Sequence, residues 1–382
     1  MKRLILIFIF ISFIYSQKLT FQTTIFSHLY QNQNKNICIS PLSIYQVISL
    51  VSNGASGKTQ DEILKALVPD SSVNKKTQFK LNDVNNKIVK IYNSKNNYVK
   101  IANAVMTKQI LKSSFLKMCK KYEAFVEPLK SVSQVNNWCS KKTNGKITEI
   151  IDSIDKVEMI LLNAVYFKSD WQKKFSPSKT KLLDFTNSNG QVVQVKTMFQ
   201  EFDSVNYYGD DKFQMIELPY EDNHLSMVII LPSKKSSSTL NLIKNEKNDI
   251  TKMLKNLKKT SYVRLYLPKF KFEYKASLVD SFKKMNMKKA FTDGAEFTKL
   301  NEGHPLKIDK IIHKTFIAVD ENGTEAAAVT AVTMVKNSMI NTKTYINMNV
   351  DHSFIYMIKD NRVKDSNGNN LMLFFGVVNT LK

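Results

Sequence analysis

Cysteine is scarce in this 382-residue chain, Cys38, Cys119 and Cys139 being the whole complement. Three thiols at irregular spacing build neither a disulfide framework nor a zinc site, and at least one stays unpaired. Cys38 lies in an apolar run and Cys139 follows Trp138 in a predicted helix, so all three read as small buried hydrophobes. Histidine is equally sparse, at five residues. No metal cluster, phosphate-binding loop or nucleophile elbow is present; Gly54-Ala55-Ser56-Gly57 is not one. Asp351-His352-Ser353 is contiguous, and on a strand its side chains alternate faces, which argues against a catalytic triad and against an enzyme. There is no Pro/Gly/Ser-rich linker and no internal repeat. With 43% hydrophobic and 23% charged residues, the composition is that of one large globular domain over 17–382 behind a leader.

Long apolar runs are lacking except at the start. Lys2-Arg3, the run Leu4–Ile14 and Tyr15-Ser16-Gln17 have the shape of a secretory signal cleaved near Ser16. The run falls short of the roughly 20 residues a membrane span needs. The leader predicts a secreted, extracellular or vesicular protein, the alternative being a buried N-terminal helix. Acidic residues are outnumbered, 33 Asp+Glu against 56 Lys+Arg, for a net charge of +23. That surplus suits polyanions such as glycosaminoglycans, nucleic acid or acidic membranes. It is spread along the chain, in clusters such as Lys141-Lys142 and Lys283-Lys284, as a merely solvated lysine-rich surface would be.

What is present is an unusual segment near the C-terminus, Asp320-Glu321-Asn322-Gly323-Thr324-Glu325-Ala326-Ala327-Ala328-Val329-Thr330-Ala331. From Thr324 to Val335 there is no proline, no glycine and one charge, so every amide can join a ladder. At period two, Thr324, Ala326, Ala328, Thr330, Val332 and Met334 form a small or apolar face, with Glu325 on the other. The segment reads as a strand left outside its sheet, with Gly323 as its hinge; taken alone, an alanine-rich helix or loop is the alternative.

The first third is predicted helical: Pro41–Leu50 with Ser40 as N-cap, Asp61–Leu67, Asn82–Tyr92, Phe115–Tyr122 and Val132–Cys139. Gln31–Asn36 and Asn93–Lys100 read as surface loops. Strands are predicted over Val157–Phe167, Met215–Leu218, Ser226–Leu231, Val263–Tyr274, Ile311–Val319, Tyr345–Val350, Ser353–Ile358 and Leu371–Val378, with helical pieces at Ala276–Met285 and Phe297–Leu300. Several strands are apolar on both faces. The class is α+β, with sheets buried under helices.

With the elements placed, the chain resembles the serpin family over essentially its whole length after the leader. The residues carrying the resemblance include Asn36–Ile44, Gly54–Thr59, Trp138–Ile147, Leu162–Trp171, Lys196–Phe199, Leu218–Tyr220, Leu267–Phe270, Met287–Phe291, His313-Lys314, Asp320–Ala331 and Phe375–Asn379, in the family's order. The resemblance implies three β-sheets, eight or nine helices and an exposed reactive-centre loop at about 320–345. It implies an irreversible suicide inhibitor of a serine protease, whose cleaved loop inserts into the central sheet and traps the acyl-enzyme. Glu321, Gly323, Thr324, Glu325, Ala326, Ala327 and Ala328 resemble the hinge, Ser40, Ser43, Asn163 and His313 the polar residues beneath the opening point, and Trp171 the tryptophan at the top of the sheet.

The family's spacing from Gly323 places the attacked bond at Asn337-Ser338. Lys336-Asn337 is the alternative, since Lys336 suits a trypsin-like pocket; Met334 or Met339 would suit chymotrypsin-, elastase- or cathepsin-G-like pockets. The family's His-Pro-Phe is here His352-Ser353-Phe354, and Thr380 replaces a proline. Asn322-Gly323-Thr324 is a glycosylation sequon at the hinge, expected unoccupied because a glycan on Asn322 would obstruct insertion. The resemblance implies a monomer that needs no cofactor, with heparin or another polyanion as a candidate effector, or else a non-inhibitory carrier or chaperone-like relative.

Overall fold

The computed structural model describes residues 20–69, 73–93, 99–234, 239–244, 250–301, 305–324, 343–364 and 370–382; the leader lies outside them. The first half contains α1 (Phe21–Leu29), β1 (Ile37–Ile39), α2 (Pro41–Ser52), α3 (Gly57–Leu67), α4 (Lys75–Asn93), β2 (Val99–Thr107), α5 (Ser113–Lys121), β3 (Phe125–Pro128), α6 (Val132–Lys142), β4 (Met159–Phe167) and β5 (Ser169–Asp170). The second half contains β6 (Lys181–Thr186), β7 (Val192–Gly209), β8 (Phe213–Pro219), β9 (Leu225–Pro232), α7 (Thr239–Lys244), α8 (Ile250–Met253), β10 (Lys258–Pro268), β11 (Phe270–Ser277), α9 (Val279–Lys284), β12 (Lys310–Val319), β13 (Gly323–Thr324), β14 (Ile346–Asn349), β15 (Phe354–Lys364) and β16 (Asn370–Val378).

The class is α+β. Three sheets were expected; among the described residues the ladders connect into two. One has seven strands, ordered β3-β2-β4-β12-β13-β5 with β11 alongside β12. The other has nine, because the 18-residue β7 is long enough to pair in turn with β6, β10 and β8 and so fuses what would be separate sheets. The predicted strand Val263–Tyr274 is two strands. Pro268, which has no amide to donate, ends β10 in the nine-stranded sheet, and the chain restarts at Phe270 as β11 in the other. Phe297–Leu300 is a turn closed by Leu300 N to Phe297 O at 3.0 Å, not a helix. The helix within Ala276–Met285 is only α9, since Ala276 and Ser277 still belong to β11. Asn93 ends α4 and Val99 begins β2, so only the undescribed residues between them remain of that predicted loop.

Helix α2 sits where its sequence demands. Ser40 caps it by accepting the Ser43 amide, Pro41 occupies the first turn, and all twelve residues are buried. It fills the main core against β16, β2 and β4. A second core on the opposite face packs Trp138 and Cys139 of α6 against Ala104, Ile160, Leu162 and Ile312. The alternation along β4 follows: Leu161 and Val165 face α2, Ile160 and Leu162 face α6. Cys38, Cys119 and Cys139 are all free and buried, and burial pushes each thiol up to about 12.

Candidate functional site

Strands β4 and β12 run parallel and pair over six positions, from Lys310 with Ile160 to Thr315 with Val165. Beyond Thr315 they part. Into that gap the chain turns back at Asp320–Asn322 and lays down β13, antiparallel to both neighbours, with Val319 opposite Thr324 on one side and Gly323 opposite Asp170, Thr324 opposite Ser169, on the other. The segment predicted to stand outside the sheet has therefore already placed Gly323 and Thr324 in it. Gly323 is required by contact, not by backbone freedom: a Cβ there would lie 2.1 Å from the Ser169 carbonyl oxygen.

The hinge is held by a dense set of bonds. Trp171 donates its amide to Asn322 O at 2.8 Å and its indole Nε1–H to Asp320 O at 3.0 Å. Its ring stacks on Tyr220 at 4.6 Å and 10°. The Tyr220 hydroxyl bonds the Thr324 hydroxyl at 2.7 Å, and Thr324 is fully buried. Glu321 accepts from Lys269 Nζ at 2.6 Å and Thr180 Oγ1 at 2.8 Å. Burial alone would raise the Glu321 carboxyl, but the Lys269 ammonium and the hydrogen bonds outweigh it and hold it below its ordinary value.

Below that opening, where β4 and β12 are still paired, the sheet carries a buried polar rung. Asn103, Asn163 and His313 sit directly opposite one another on β2, β4 and β12. His313 Nε2 accepts the Ser40 amide at 3.0 Å, which fixes the neutral tautomer with Nδ1–H donating to Asn163 Oδ1. Asn163 Nδ2 donates to Ser43 Oγ and Asn103 Oδ1. Complete burial pushes the His313 imidazole down to about 3. The structure thus brings Ser40, Ser43, Asn163 and His313 together. Asn103, which the sequence reading passed over, completes the group and continues it through Gln46 (3.1 Å) to Asn85 of α4 (2.9 Å). An asparagine centred in the apolar run Val99–Thr107 was the available signal.

Glu325, Ala326, Ala327 and Ala328 of the hinge, Met334, Lys336, Asn337, Ser338 and Met339 lie outside the described residues. Asn322 is partly exposed, but the threonine of its sequon is the buried Thr324. His352 Nδ1 does lie 2.7 Å from Asp351 Oδ1, contrary to the strict alternation expected. Its Nε2 is occupied by the Pro232 carbonyl at 2.8 Å, and Ser353 Oγ donates to Asn379 O, so these three do not form a triad. Among the described residues no His/Cys/Asp/Glu group could hold a metal ion, and no helix is long and apolar enough to cross a membrane.

A parallel strand pair thus parts around a short antiparallel strand, above a buried polar rung. The family model for serpins (serine protease inhibitors) matches residues 16–381, and the chain belongs to that family. Its members are protease inhibitors in general, not enzymes. The leukocyte elastase inhibitor of Xenopus laevis is 32% identical over 366 residues, covering 90% of this chain and 93% of its own. The native structure of the thermophilic serpin tengpin superposes with a TM-score of 0.82 at 30% identity, covering 96% of this chain and 93% of that one. Native protease nexin-1, solved with heparin, gives 0.79 at 26% identity, covering 96% and 99%.

Proposed function

We propose that this protein is a secreted, single-use inhibitor of serine proteases, whose loop, once cleaved, continues β13 downward between β4 and β12. The register of β13 carries the reading. Each step forward in the loop moves one step back along both neighbours, because β13 is antiparallel to each. Thr324 opposes Val319, so Thr330 would oppose residue 319 − 6, His313. Thr324 also opposes Ser169, so Thr330 would oppose residue 169 − 6, Asn163. Both counts converge on the polar rung, where the Thr330 hydroxyl would take up the hydrogen bonding of the separated His313 and Asn163.

The same parity sends Ala326 and Ala328 with Thr324 toward the main core, and Glu325 to the face carrying α6. Insertion would exchange one parallel ladder for two antiparallel ones, which are slightly more stable per residue. Each added hydrogen bond contributes roughly 0.5–1.5 kcal/mol. The uncleaved protein is then kinetically trapped.

Lys336 directs the inhibitor toward trypsin-like proteases; Met334 and Met339 would serve chymotrypsin-, elastase- or cathepsin-G-like ones. Denaturing electrophoresis after mixing with trypsin, chymotrypsin and an elastase, with mass spectrometry of the released peptide, tests this. A covalent band and a peptide beginning at Asn337 or Ser338 are expected. Clean cleavage without a complex across a wide panel would instead favour a non-inhibitory carrier, a role that the small, proline-free hinge argues against. The charge of +23 and the likeness to a serpin solved with heparin support acceleration by a polyanion, read as a salt-sensitive rate increase with added heparin.

A further inference from the structure

A cleft of about 340 Å³ opens between the turn Trp171–Phe175 and the strands β7, β8 and β9. Its floor is apolar and buried, formed by Trp171, Phe202, Val205 and Leu225. The volume is that of a small-ligand pocket. The one carboxylate on its wall, Glu217, is already occupied by Lys359 at 2.8 Å, Ser226 at 2.7 Å and Asn206 at 3.0 Å. At the mouth stand two ammonium groups that have no carboxylate partner among the described residues. Lys173 Nζ donates to the Glu201 carbonyl at 2.8 Å while lying over the Phe202 ring, and Lys259 is exposed on β10. An aromatic and aliphatic floor under a cationic rim, with the wall acid neutralised, selects a flat apolar body carrying one negative charge.

We propose that this cleft is a binding site for a small aromatic monoanion, an aryl carboxylate or sulfonate, and that its occupant governs how readily the hinge enters the sheet. The coupling follows from the shared wall. The turn lining the cleft is the one that grips the hinge: Trp171 N holds Asn322 O, Phe175 N holds Glu321 O at 2.9 Å, and Gln172 N ties the turn to Pro219 O at 3.0 Å. A ligand packed between that turn and the strands braces the closed arrangement and slows separation of β5 from β12. A slower insertion lets the protease complete hydrolysis before it is trapped. This regulatory half rests on the loop-insertion reading; the binding half does not.

The test uses the full chain and 8-anilinonaphthalene-1-sulfonate as probe. Trp138→Phe leaves Trp171 as the only tryptophan, so quenching of its emission with energy transfer to the probe locates binding. One saturable site per chain is expected, weakened about tenfold or more by Lys173→Glu combined with Lys259→Glu, and by Val205→Phe, which fills the cleft. The charge-reversed pair alters exposed side chains and remains informative if Val205→Phe fails to fold. Absence of saturable binding, or an affinity unchanged in the charge-reversed chain, overturns the site. In the protease assay, saturating probe should raise the number of inhibitor molecules cleaved per protease trapped; an unchanged ratio overturns the regulatory half. A chain that traps no protease even without probe refutes the loop-insertion reading and leaves the binding result standing.

Discussion

Alanine at Gly323 should push the hinge out of the sheet. The added Cβ would stand 2.1 Å from the Ser169 carbonyl oxygen and 2.6 Å from the Asp170 Cα, both backbone atoms that cannot rotate away. Either β5 moves, with Trp171 behind it, or β13 withdraws. Overpacking of this kind costs about 1–3 kcal/mol. Withdrawal also breaks the Thr324–Tyr220 hydrogen bond, worth about 1 kcal/mol. Against this stands the gain of roughly 0.4–1 kcal/mol that alanine brings by restricting the unfolded chain. Gly323 does not have a positive φ, unlike Gly57, Gly145 and Gly190, so no backbone penalty adds to the sum. The net expectation is a loss of about 1–3 kcal/mol. Peptide-level hydrogen exchange over 320–324 is the primary assay, with the denaturant midpoint followed by tryptophan emission beside it. Faster exchange at Asn322–Thr324 and a lower midpoint are expected. Unchanged protection with a small rise in midpoint would refute the steric reasoning.

His313 makes stability depend on pH. Its folded value lies near 3 against 6.5 unfolded, so the unfolded chain binds the extra proton. This contribution is complete above about pH 6.5 and is lost on acidification, by about 2 kcal/mol at pH 5. Unfolding midpoints of the native protein and His313→Gln between pH 7.5 and 4.5 should converge on acidification; parallel curves would contradict the assignment. Glu321→Lys places a second ammonium against Lys269 and strips Thr180 of its acceptor, for a loss of about 2–3 kcal/mol discounted for the part-exposed lysine. Charge reversal at both positions should restore most of the midpoint. Thr324→Arg puts a cation where the native side chain is fully buried. Cleavage should proceed at an unchanged rate while the covalent band disappears, and a persisting band would show that insertion does not pass this point.

The fold was legible where chemistry was local. Ser40-Pro41 declared a helix start, whereas Ser43, Asn163 and His313 were brought forward by the resemblance to serpins; Glu325–Ala331 lie outside the described residues. Long-range pairing was not legible. Nothing in Val192–Gly209 announces that one strand will serve three partners and so join, among the described residues, ladders that would otherwise be separate sheets. Asn103 was missed because its worth lies in standing opposite Asn163, a register that only the folded β2–β4 pair sets. Gly323 was read as a flexible joint, whereas the Ser169 backbone pressing on it is a tertiary fact. The Lys269 partner of Glu321, 52 residues away, lies beyond any local pattern.

The thermal unfolding of the chain before and after a single cut within 325–342, made by a protease that is not trapped, tests insertion most directly. Insertion of some ten residues as a central strand predicts a midpoint raised by at least about 10 °C, from roughly 0.5–1.5 kcal/mol per added hydrogen bond, with new exchange protection over 325–335. An unchanged midpoint with a freely exchanging loop would contradict it.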